Sequence, residues 1–163
     1  MTNTEPSLVA PLPPSTIDFA AIIARQAEAD TLAAELRPAN KERLFDALTA
    51  AGISHVTVTF DGSGDSGQIE SIAAWCGEAA VAFPPVEIPF AALTWDSPAV
   101  EMRNLTPEAV VEQMAYDFLA DTHDGWENDG GAYGEFCFDA SARTIHLDYN
   151  ERFTSYASYD HEF

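Results

Sequence analysis

Two stretches of this chain concentrate side chains able to do chemistry: FDGSGDSGQIE over residues 60–70 and HDGWENDGG over residues 123–131. The first sets Asp61, Ser63 and Asp65 at alternate positions, as the opening half of a calcium loop sets oxygens around a hard cation. Its second half breaks that pattern. Ser66 stands where the loop needs glycine, and Ile72 stands where it needs a bidentate glutamate. No Gly-Lys-Ser/Thr follows, and carboxylates at 61 and 65 repel a phosphate, so this is not a phosphate cradle. No triad partner follows at a usable spacing to make either serine a nucleophile. A looser divalent-cation site using Asp61, Asp65, Glu127 and Asp129 and a polar, glycine-rich hairpin remain as readings.

The second stretch offers His123, Asp124, Glu127 and Asp129 around Trp126. Histidine with carboxylates can exchange protons or bind a metal. A histidine just past a helix C-terminus is also favoured there by the helix dipole. Trp126, flanked by acids and glycines, has the composition of an interface anchor whose neighbours match arginine or lysine on a partner. Glu135, Asp148 and Glu151 extend the acidic set toward the C-terminus. His55 and His146 fall in strand-like alternation and read as sheet histidines.

The global charge points the same way. Seven basic residues stand against 27 acidic ones, a net of −20. Most of the excess falls after residue 60. Such a surface repels phosphate backbones and anionic membranes, so no direct nucleic-acid or membrane partner is expected. What it attracts is a basic protein surface, including the grooves that hold nucleic acid. Solubility alone is the competing explanation. Two cysteines, Cys76 and Cys137, are too few for a disulfide scaffold and read as buried free thiols. No CxxC or HExxH supports structural zinc. With no 18-residue apolar run and no secretory leader, a cytoplasmic location is expected.

These residues must be positioned by a scaffold of 163 residues, 47% of them hydrophobic, enough for one domain with a core. Residues 1–14 are Pro-rich and read as a flexible tail, leaving 15–163 as a single domain. Ser15 or Thr16 caps a helix running to Arg37, where Pro38 interrupts. Asn40 then caps a second helix closed by Gly52. Alternation predicts a strand over 53–60 and a partner over 68–75. Residues 77–105 read as irregular, with a short edge strand near 86–90. Thr106-Pro107-Glu108 starts a third helix reaching about residue 122. Residues 132–139 and 143–150 read as a hairpin, and the aromatic tail adds a last strand. The expected fold is α+β, an antiparallel sheet of about 4–6 strands with three helices packed on one face.

Three runs in order, FDGSGDSGQIE, GWEN with GAYGEF, and LDYNERFTSY, resemble a family of uncharacterised bacterial proteins carried on plasmids and phage-like elements. The resemblance covers roughly residues 40–163. It implies no activity. It does imply a setting in which small acidic proteins act against host defence.

The expectation is therefore a non-enzymatic acidic protein that mimics nucleic acid and inhibits a defence nuclease of restriction or CRISPR type. Its partner-binding residues would be Asp61, Asp65, Asp124, Trp126, Glu127, Asp129, Glu135, Asp148 and Glu151. The alternatives are a divalent-metal module or enzyme built on the acidic loops, and a structural or regulatory domain whose acidity serves solubility.

Overall fold

The first helix does not stop at Pro38. A computed structural model describes residues 18–64, 66–94, 99–128, 130–153 and 155–163. In it one continuous helix, α1, spans Phe19–Ala50 with Pro38 inside it. Proline removes a single donor and frees the carbonyl four residues back. Here both Pro38 and Ala34 are exposed, so water can satisfy that carbonyl. The N-cap is Asp18, whose carboxylate accepts from the Ala21 N–H at 3.2 Å. The expected caps at Ser15 and Thr16, like the tail 1–14, lie outside the described residues.

Among the described residues there are thus two helices and seven strands, and the expected three helices on one face of a single sheet are overturned. The strands are β1 (His55–Ser63), β2 (Ser66–Cys76), β3 (Ala79–Val81), β4 (Ile88–Leu93), β5 (Val100–Leu105), β6 (Ala132–Asp139) and β7 (Thr144–Glu151). Helix α2, Pro107–Thr122, starts as its sequence dictates: Thr106 accepts from the Ala109 N–H at 3.2 Å and proline opens the first turn. Five strands form an antiparallel sheet in the order β3-β2-β1-β6-β7, and β4 pairs only with β5.

The β4–β5 hairpin corrects the irregular reading of 77–105. It is fastened to α1 through Asn40, expected as a cap and found buried. Its amide donates to the Ala91 carbonyl and accepts from the Ala91 N–H, both at 2.8 Å. The aromatic tail forms no strand: residues 155–163 carry no regular structure, and Tyr156 and Tyr159 are exposed.

Alternation assigns the large sheet two unlike faces. Val56, Val58, Phe60, Phe136 and Phe138 point inward and share one core with Leu44, Phe45 and Leu48 of α1 and Val110, Val111, Met114 and Leu119 of α2. Both helices put their buried residues, Asn40 and Pro107 excepted, into that core. The opposite face, with Thr57, Thr59, Glu135 and Asp148, bears no helix among the described residues. No described helix is long and apolar enough to cross a membrane.

Candidate acidic interface

The three sequence motifs meet at one end of the large sheet. The described residues of 60–70 form the tip of the β1–β2 hairpin, where Ser63 pairs with Ser66 and Gly64 takes φ 59°. The register slips between Thr59 and Phe60, so that Ile69 faces Phe60, Ser71 faces Thr59, and Glu70 is the extra residue of a bulge. The bulge aims the Ile69 N–H at the Tyr116 hydroxyl of α2, 3.0 Å away.

The hairpin glycines exist for Trp126. Its ring lies across Gly62 and Gly67. A Cβ on either would come within 2.5 Å of the indole. The same ring meets Phe60 edge-on at 5.5 Å and 84°. Trp126 is half-buried against the core and serves as packing rather than as a free anchor. His123 stacks on Tyr149 at 3.6 Å. Burial pushes the Tyr149 phenol up, helped by Glu151 and then Glu127. Glu151 shares the face of Tyr149 by strand parity, and Glu127 lies beside Gly67 with Trp126.

Arg152 closes the outer side of the same end. Its guanidinium gives two 2.9 Å hydrogen bonds to the Asp61 carboxylate and one of 3.2 Å to the Gly62 carbonyl. It also rests 4.7 Å over the Tyr133 ring. Both Asp61 oxygens are thereby engaged. Asp61, Gln68 and Glu70 line a shallow polar pocket at the hairpin.

The nine expected contact residues therefore separate. Asp61, Glu135 and Asp148 share the uncovered face by strand parity. Trp126, Glu127 and Glu151 belong to the inner side, and Asp124 is exposed in the connecting loop. Asp65 and Asp129 lie outside the described residues. So does half of the expected metal set, and among the described residues no group of three or more His, Cys, Asp or Glu is arranged to hold an ion.

One pair on the uncovered face defies ordinary sheet design. Glu135 and Asp148 are directly opposite each other on β6 and β7, both exposed. Like charges in that relation repel. Among the described residues no ion pair relieves them: the bridges are Arg37–Asp121, Arg103–Glu101, Arg143 with Glu42 and Asp46, and Arg152–Asp61. Asp139, on the same face, caps the β6–β7 turn by accepting from the N–H groups of Ser141 and Ala142. Cys137 lies between these acids, half-buried. Desolvation first, then Asp139 and Glu135, push its thiol up and keep it protonated. Cys76 is exposed, not buried as expected.

The residues missed from sequence are Arg152 and Tyr133. The signal for Arg152 was its rarity, as one of three bases after residue 60. A base in so acidic a segment must sit near many carboxylates, but which one it takes depends on the β1–β6 register.

A family model described as a family of unknown function (DUF6878) matches residues 36–163. No curated protein and no solved structure matches the chain.

Proposed function

We propose that this chain, which belongs to the DUF6878 family of unknown function, is a non-enzymatic binding protein that docks its uncovered acidic sheet face on a basic protein surface. The observation that carries the reading is the opposed Glu135–Asp148 pair, exposed and engaged in no ion pair among the described residues. Two carboxylates held side by side on a rigid sheet cost the free protein stability. They match a partner guanidinium or ammonium group, whose arrival turns the repulsion into attraction. The net charge of −20 supplies long-range steering toward such a partner. The resemblance to proteins borne on plasmids and phage-like elements supports the narrower reading. In it the partner is a cytoplasmic defence nuclease, and the acidic face takes the place of its nucleic acid.

The test is competition with duplex DNA for a basic nuclease groove. Binding should weaken about tenfold between roughly 50 mM and roughly 300 mM salt, as screening predicts. The Glu135→Gln/Asp148→Asn variant should bind more weakly at low salt while keeping the wild-type melting temperature or exceeding it. Affinity that ignores both salt and the double substitution would sink the proposal.

A further inference from the structure

The large sheet ends in two edges of different kind. On one side β3 is only three residues long, the usual way of blunting an edge. On the other, β7 runs for eight residues in unbroken register with β6, with no proline, no lysine and no bulge. That is about 27 Å of strand at ~3.4 Å per residue. Alternate N–H and C=O groups of β7 point away from β6, and among the described residues no backbone hydrogen bond meets that outer edge. Natural sheets seldom leave an edge of this length bare unless something pairs with it.

The sequence of β7 is complementary to itself. Suppose two copies run antiparallel about a two-fold axis through Leu147. Leu147 then faces its own mate, and Ile145 faces Tyr149 of the other copy. His146 faces Asp148, and Thr144 faces Asn150. Every pair matches in kind. Ile145, Leu147 and Tyr149 form the half-buried inner row, already packed against the core. His146 and Asp148 are exposed on the outer row, where an imidazole N–H can donate to a carboxylate. Moving the axis by half a residue pairs inner with outer positions and destroys the match. Moving it one residue, to His146 or Asp148, opposes identical side chains: histidine to histidine, or carboxylate to carboxylate.

From this edge and this register we infer that a second copy of the chain pairs along β7, joining two five-stranded sheets into one of ten strands. The interface is isologous, so each favourable contact off the axis occurs twice. Asp148 then lies between Glu135 of its own copy and His146 of the other. The pairing also makes the two outer faces coplanar. This inference is independent of the docking reading, since its test contains no partner.

Sedimentation of the full chain tests it, with two variants at exposed positions. The wild type should be dimeric by a concentration of roughly 100 µM and dissociate on dilution. His146→Asp sets carboxylates opposite each other twice and should weaken the dimer about tenfold. The swapped double variant His146→Asp/Asp148→His restores the pairing and should recover the wild-type association. Hydrogen exchange adds a second readout: the β7 amides that point away from β6 should lose protection on dilution, while those of β1 should not. A wild type that stays monomeric, a dimer indifferent to His146→Asp, or a swap that fails to recover association would each overturn the inference.

Discussion

Replacing Gly62 by alanine should change from harmful to harmless when Trp126 is removed. In the wild type the new methyl would sit 2.5 Å from the indole Cζ3 and 2.9 Å from Cε3. The indole cannot simply yield, being wedged against Phe60 on its other edge. Overpacking of this kind costs about 1–3 kcal/mol. The backbone itself raises no objection, since Gly62 is not among the positive-φ residues. Alanine also restricts the unfolded chain, which returns about 0.4–1 kcal/mol where the native conformation suits it. In a Trp126→Ala background both contacts with the indole are gone, and the nearest remaining approach is 3.1 Å to the Gly67 Cα. Gly62→Ala should then fall to within about 0.5 kcal/mol of zero. Trp126→Ala alone should cost about 2–3 kcal/mol, the low end for a large aromatic because the ring is half-exposed. Urea unfolding of the four proteins in a double-mutant cycle gives the coupling directly, with an expected value of about 1–3 kcal/mol. If Gly62→Ala costs the same in both backgrounds, the hairpin glycines are not there to seat Trp126.

Asn40→Ala strands both the N–H and the carbonyl of Ala91 in a buried setting. It should cost about 2–4 kcal/mol by urea unfolding, at ~1–3 kcal/mol for each orphaned group; a loss below about 0.5 kcal/mol would refute the account. Asp117, on the groove wall where α2 faces α1, has its carboxyl raised by desolvation, against the lowering effects of Gln113 and Arg37. A group whose folded pKa is raised favours the fold when protonated and opposes it when ionised. Asp117→Asn should therefore raise the melting temperature at pH 7 and leave it unchanged below the unfolded carboxylate range. A gain that persists unchanged into acid would contradict this. Cys76 should be alkylated by iodoacetamide at pH 8 well before Cys137, which is half-buried and held as a thiol. Equal rates, read by peptide mass, would count against the placement of Cys137.

Periodicity revealed much of the large sheet. The β1, β2, β6 and β7 patterns were all legible, and so was the opposition of an apolar to an acidic face on the last hairpin. Helix α2 announced itself through Thr106 and Pro107. Three features were not legible, each for a physical reason. Pro38 reads as a break because local rules count the lost hydrogen bond but not the solvent exposure that makes the loss tolerable. Strand β5, VEMRNL, alternates in residue type yet is exposed on nearly every position, so no buried face marks it. Trp126 was read as an interface residue because its partners, Gly62 and Gly67, lie far back in the sequence and carry no side chain to advertise the contact. The candidate acidic face was visible as charge, but its division between two sides of the sheet needed the β1–β6 register.

That register also bears on how the protein folds. Hairpins β1–β2 and β6–β7 are local in sequence and can form early, whereas β1 and β6 meet only by closing the long intervening segment. Pairing His55 with Asp139 is thus expected to be the slow step, and the contacts of Trp126 and Arg152 straddle the seam it creates. If the side chains that fasten this seam lock only after the strands have paired, they contribute after the barrier is crossed. Their loss should leave the refolding rate nearly unchanged and appear as faster unfolding. The end of the sheet where the motifs gather would then act as a latch, setting how long the native state lasts rather than how quickly it is reached.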